Sequence, residues 1–212
     1  MSEIFHHEGL ARGADAMNRI AAARILICGA GALGANLVEN LARSGFGSLG
    51  VVDFDRIEER NLGTQPWSRQ DVGSVKVKTL ANLVFRATGT TVTAHSVRLC
   101  RNNIKKLLRD CTVAVDCFDN GESRAVVADY CLEQGVPCLH VGTDGGFASA
   151  LWNDGYKAPS SGKVDGCDYP MARSMVLLMT AVATELLIRH LVKDERLMAT
   201  FTLDDLKLST YS

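Results

Sequence analysis

Gly29, Gly31 and Gly34 stand in G-x-G-x-x-G spacing, and two aspartates, Asp53 and Asp55, follow about 20 residues later. Residues of these types at these intervals can hold a nucleotide. The first glycine permits a tight turn, the second lets a phosphate or ribose approach the backbone, and the third lets a helix pack closely on the preceding strand. An acidic side chain at the end of the next strand can accept hydrogen bonds from both ribose hydroxyls. Asp55 suits that task, and Asp53 reads as a structural acid beside it. Lys76 and Lys78 sit on the first turn of a later helical stretch, where the helix dipole disfavours cations unless an anion lies nearby.

The elements that must position these residues are written around them. Residues 25–28 are a short apolar run bounded by glycine, which reads as a buried parallel strand. Residues 35–44 continue as a helix with Leu37, Val38 and Leu41 on one face and Gly45 at its end. Residues 49–52 form a second strand. The polar stretch 56–74 is long for a connection, which marks it as functional or disordered, and Ser74 is placed to cap a helix running to Arg86. Strands are expected at 91–97, 112–116 and 137–141, with helices at 101–109 and 122–134 between them. Alternation of this kind gives an α/β fold with a doubly wound, mostly parallel sheet of Rossmann type. Beyond residue 145 the pattern changes to a strand at 147–152, a polar loop at 153–169, a long apolar helix at 171–192, and a hairpin of strands 200–203 and 206–209. The whole reads as one domain, 1–212: a helical lead-in to residue 23, a nucleotide-binding core at 24–145, and a crossover loop, helix and antiparallel hairpin at 146–212.

With 212 residues, 47% hydrophobic and 22% charged, the chain can bury a core of its own. A net charge of −1 gives no preference for nucleic acid or a membrane surface. The opening Met-Ser-Glu-Ile-Phe-His-His lacks signal-peptide order, so a cytoplasmic location is expected. Adjacent His6 and His7 read as solvated. Seven cysteines contain no C-x-x-C pair, so neither a zinc ribbon nor a redox dithiol is written here.

Further segments identify a family resemblance. They are Gly29-Ala30-Gly31-Ala32-Leu33-Gly34; Val52-Asp53-Phe54-Asp55 followed by Glu58 and Asn61-Leu62; Asp71-Val72-Gly73-x-x-Lys76; and Asp116-Cys117-Phe118-Asp119-Asn120 with Arg124. In order and spacing, over about residues 20–145, the chain resembles the ThiF/MoeB/HesA family, prokaryotic relatives of the ubiquitin-activating enzymes. The resemblance implies an E1-like fold, a homodimer, and an ATP site with magnesium. It implies adenylation of the C-terminal Gly-Gly carboxylate of a small β-grasp, ubiquitin-like sulfur carrier of ThiS/MoaD type, as in thiamine or molybdopterin biosynthesis. Carried over by position, Asp55 binds ribose, Asn61 and Lys76 contact phosphates, Asp119 holds magnesium, and Arg124 orders the Asp119 loop.

The chain departs from the family pattern in three ways. The family's phosphate-contacting arginine is replaced by Thr64, with Arg60 and Arg69 as the nearest substitutes. An N-terminal arginine is replaced within Phe5-His6-His7-Glu8, with Arg12 nearest, and the zinc-binding cysteine pairs are absent, so no structural zinc is expected. Cys167 lies where some relatives carry a thiol that takes the activated carrier. Two alternatives stay open: a non-catalytic ATP-binding scaffold, and a dehydratase-type relative that adenylates a small or RNA-borne carboxylate. An NAD-dependent oxidoreductase finds no catalytic His-Asp or Tyr-x-x-x-Lys pair to support it.

Overall fold

Short apolar runs ending in glycine or aspartate become the central strands. The computed structural model describes residues 3–158 and 170–212. Among them, β1 (Arg24–Cys28), β2 (Ser48–Val52), β3 (Val92–His95), β4 (Val113–Asp116), β5 (Cys138–Asp144), β6 (Phe147–Trp152), β7 (Met198–Thr202) and β8 (Leu208–Tyr211) form one sheet in the order β3-β2-β1-β4-β5-β6-β7-β8. The pairings from β3 through β5 are parallel, and those from β5 through β8 are antiparallel.

Period-two alternation sends side chains to two cores. Ile25, Ile27, Val113 and Val115 join the cluster under α2 (Ala14–Ala22), α3 (Ala32–Arg43), α4 (Lys76–Thr88) and α7 (Arg173–Lys193). Leu26, Cys28 and Ala114 join the opposite cluster, under α5 (Ile104–Leu107) and α6 (Gly121–Gln134). Both faces are thus covered, as the doubly wound reading requires. The chain winds outward from β1 through β2 to β3, then crosses back to β4 on the other side of β1. The carboxyl ends of β1 and β4 therefore flank a topological switch point, where open α/β sheets bind ligands.

By length and composition α7 could cross a bilayer, yet it is a core helix here. Met175, Val176, Met179, Ala183 and Leu187 are buried in the cluster shared with α3 and the sheet.

Several local expectations are corrected. Ser74 does not cap α4: Val75 is the extended residue before it, held by a bridge to Arg56, and the Ser74 carbonyl accepts from Ile57 N instead. The third strand ends at His95, not Val97. The expected helix at 101–109 shrinks to the single turn of α5, because the Asn103 side chain bonds Cys100 N and Arg98 O and so competes with helical pairing. The terminal hairpin is present, but its first strand begins two residues earlier than expected, at Met198, and its second two residues later, at Leu208. A further helix, α1 (His6–Arg12), precedes α2; its sequence carries Gly9 and no apolar stripe, and Arg12 fastens it to Glu185 on α7. His6 and His7 are exposed.

Candidate functional site

The glycine turn leaves β1 and enters α3. Gly29 adopts φ +100° with its N–H on Val52 O, and a Cβ there would stand 3.1 Å from Cys117 O and 3.3 Å from the Phe118 ring. The turn after β1 and the turn after β4 are therefore in direct contact across the switch point. Gly34 packs helix on turn so tightly that a Cβ would lie 2.0 Å from Gly29 O. At Gly31 a Cβ would meet nothing within 4 Å, so the backbone there faces open space at the N-terminus of α3. Backbone N–H groups and the helix dipole make such a place favourable for phosphate.

Asp53 closes the turn from the side of β2. One carboxylate oxygen accepts from Ala30 N at 2.7 Å and the other from Asp55 N at 2.7 Å. Burial pushes its acid upward, while those two N–H groups pull the other way. With each oxygen accepting a backbone N–H, Asp53 ties the glycine turn to the end of β2. Asp53→Ala would orphan the buried Ala30 N–H and the half-buried Asp55 N–H, at about 1–3 kcal/mol each, less the relief of a buried charge. A net loss of roughly 2–4 kcal/mol in urea unfolding is expected.

Asp55 is exposed just beyond and pairs with Lys76 Nζ at 3.2 Å. Lys76 is buried at the start of α4 and also donates its backbone N–H to Asp55 O, whereas Lys78 is exposed. Lys76, not Lys78, is thus the lysine turned toward the acidic strand end. The anion that offsets its unfavourable place in the dipole is, within this chain, Asp55. Asn61 sits in a 3₁₀ turn, Glu59–Asn61, where its Oδ1 accepts from Glu58 N at 2.9 Å in a reciprocal capping box. That bond uses the oxygen and leaves the side-chain NH₂ outside the box.

Asp119 lies on the turn after β4. Asn120, not Asp119, caps α6, accepting from Ser123 N at 2.9 Å. The exposed Asp119 carboxylate is held only at 3.4 Å by the Asn120 side-chain amide among the described residues. Cys167 lies outside the described residues.

Two of the three substitute arginines have partners elsewhere. Arg60 pairs with Glu58 at 2.6 Å, and Arg12 pairs with Glu8 and, at 2.5 Å, with Glu185. Arg69 is exposed in the 3₁₀ turn Arg69–Asp71, and Thr64 contributes its carbonyl to Asn36 Nδ2 at 2.9 Å.

Two groupings escaped the sequence reading. Arg98 lies 4.6 Å above the exposed ring of Phe54, at the strand end between Asp53 and Asp55. Behind the Asp119 turn, buried Asp116, Arg124 and His140 form a polar network with half-buried Tyr156. A histidine inside the apolar run 137–141 was the available signal, since a buried polar group needs a partner.

The SAMP-activating enzyme E1 of Haloferax volcanii is 33% identical over 73% of this chain and 62% of its own length. The sulfur carrier protein ThiS adenylyltransferase of Bacillus subtilis is 34% identical over 60% of this chain and 39% of its own. The chain thus spans less than two thirds of either relative. Among solved structures, Escherichia coli MccB with MccA superposes with a TM-score of 0.84 at 17% identity, covering 99% of this chain and 71% of that one. The E. coli tRNA N6-threonylcarbamoyladenosine dehydratase gives 0.79 at 18%, covering 91% and 95%. These two likenesses establish the shared fold. The ThiF family profile matches residues 7–199, and the chain belongs to the ThiF family.

Proposed function

We propose that this chain binds ATP at the switch point and transfers AMP to the C-terminal carboxylate of a small ubiquitin-like carrier ending in Gly-Gly. The observation that carries the reading is the meeting of three features at one sheet edge: the open Gly31 backbone, the Asp55–Lys76 pair, and an exposed Asp119 uncommitted to helix capping. The names of the curated relatives, which include a ThiS adenylyltransferase, point the same way.

In the reaction a carboxylate oxygen attacks the α-phosphorus, pyrophosphate leaves, and a mixed anhydride remains. Both reactants are anionic, so fixed cations and donors that neutralise the growing charge carry most of the catalysis. Asp55 holds the ribose, Gly29 to Gly34 cradle phosphate, and Lys76 and the Asn61 NH₂ donate to phosphate oxygens. An exposed carboxylate beside a phosphate cradle suits a hard divalent cation, and Asp119 would hold magnesium, which supplies further charge neutralisation when bound. The Arg124 side chain is buried on Asp116 and orders the turn from behind. We further propose a homodimer, for which the exposed Leu177 and Leu178 of α7 offer apolar surface.

One observation favours a second reading, a non-catalytic ATP-binding scaffold: Thr64 stands where a phosphate-site arginine is expected, and Arg12 and Arg60 are engaged elsewhere. Exchange of labelled pyrophosphate into ATP separates the possibilities. The proposal expects exchange that depends on a Gly-Gly-tailed carrier. ATP binding with no exchange under any condition would establish the scaffold, and exchange driven by a free small acid or an RNA-borne carboxylate would establish a dehydratase-type relative.

A further inference from the structure

The carboxylate of Asp116 is fully buried at the end of β4 and is shared between two tasks. Its Oδ1 accepts from Phe118 N at 3.1 Å, which fixes the Cys117–Phe118 peptide, one peptide ahead of the one that leads into Asp119. Its Oδ2 is held by Arg124 Nη1 at 3.2 Å and by His140 Nδ1 at 2.8 Å. The two partners on Oδ2 set the carboxylate plane, and that plane sets where Oδ1 meets the turn.

Both partners are in turn held by one residue. Tyr156 stacks on the His140 ring, with centroids 3.7 Å apart and planes 7° from parallel. Its hydroxyl accepts from Arg124 Nη1 at 3.3 Å. Arg124 also donates to Val141 O at 2.7 Å, in a space kept open by Gly142, where a Cβ would stand 3.2 Å from Nη2. The acceptor at Asp116 places a proton on His140 Nδ1, and His140 Nε2 is buried with no partner among the described residues, so imidazole orientation rests on Asp116 and the Tyr156 face. Tyr156 follows the short turn Asn153–Gly155 after β6, far along the chain from the turn it braces.

We propose that Tyr156 and His140 are positioning residues for Asp119, acting through Asp116 and Phe118 to hold the turn 117–120 in the geometry that receives a metal–triphosphate. The inference rests on the reading of Asp119 given above. It adds two residues that touch neither nucleotide nor metal.

The test pairs a ligand-free readout with a binding readout. Amide hydrogen exchange across 117–120 is measured in nucleotide-free wild type and Tyr156→Ala, and affinities for Mn·ATP and for metal-free AMP are measured on both. Tyr156→Ala is expected to speed exchange of the Phe118 amide by roughly tenfold or more and to weaken Mn·ATP by roughly tenfold, with AMP changed less than about twofold. Tyr156→Phe keeps the stack and loses the hydroxyl contact, so it should restore most of both effects; Tyr156→Leu, which keeps apolar bulk but loses the flat stack on His140, should show both losses and carries the test if Tyr156→Ala does not fold. In an Asp119→Ala background Tyr156→Ala should weaken Mn·ATP no further, because the route through Asp119 is already cut. Unchanged exchange at Phe118, equal losses for AMP and Mn·ATP, or a full additional loss in the Asp119→Ala background would each overturn the inference. A wild-type protein that binds neither nucleotide would instead overturn the proposed function on which it rests.

Discussion

Asp119→Ala is expected to lower carrier-dependent pyrophosphate exchange by roughly 10²–10³-fold, the loss typical of removing one preorganised electrostatic contact from a transition state. The substitution should leave the fold intact. Asp119 is exposed, Asn120 supplies the α6 cap, and the turn itself is held by Asp116 through Phe118 N and by Cys117 N on Cys28 O at 2.9 Å. Unfolding midpoints should therefore differ little between wild type and variant. An equal fall in stability and exchange would mean that Asp119 is part of the scaffold.

Gly34→Ala is expected to cost about 3 kcal/mol or more in urea unfolding, above the usual range for one inserted methyl. An alanine in a helix ordinarily gains about 1 kcal/mol over glycine. Here the new Cβ would lie 2.0 Å from Gly29 O and 3.0 Å from Gly29 C, both backbone atoms, so helix or turn must move. Either movement also displaces the cradle, and ATP affinity should fall with stability. Gly31→Ala is the matched control: its φ of −77° suits any residue and nothing lies within 4 Å, so stability should hold while nucleotide binding falls.

The glycine turn, the acidic strand end and the Asp119 turn were legible because local pattern and fold agree there. Ile25 to Cys28 is too short for a helix, and G-x-G-x-x-G needs a strand before it and a helix after it. Where a side chain has two local choices, the sequence alone does not decide between them. Asp119 and Asn120 are equally good caps by type, and only the structure shows which one turns back to Ser123 N. Ser74 lost the cap of α4 because a bridge to Arg56 extends Val75. The roles of His140 and Tyr156 were illegible because their meeting depends on β5, β6 and the turn after β6 folding over α6, contacts distant in sequence from Asp116. By helix position alone Lys76 and Lys78 were equivalent; burial and the Asp55 contact separate them in the structure.

Mass spectrometry of a Gly-Gly-tailed carrier incubated with this chain, ATP and magnesium tests the central claim most directly. The account predicts a carrier whose terminal carboxylate has gained AMP, with pyrophosphate released in step. A carrier of unchanged mass, alongside ATP that is bound but never cleaved, would contradict it.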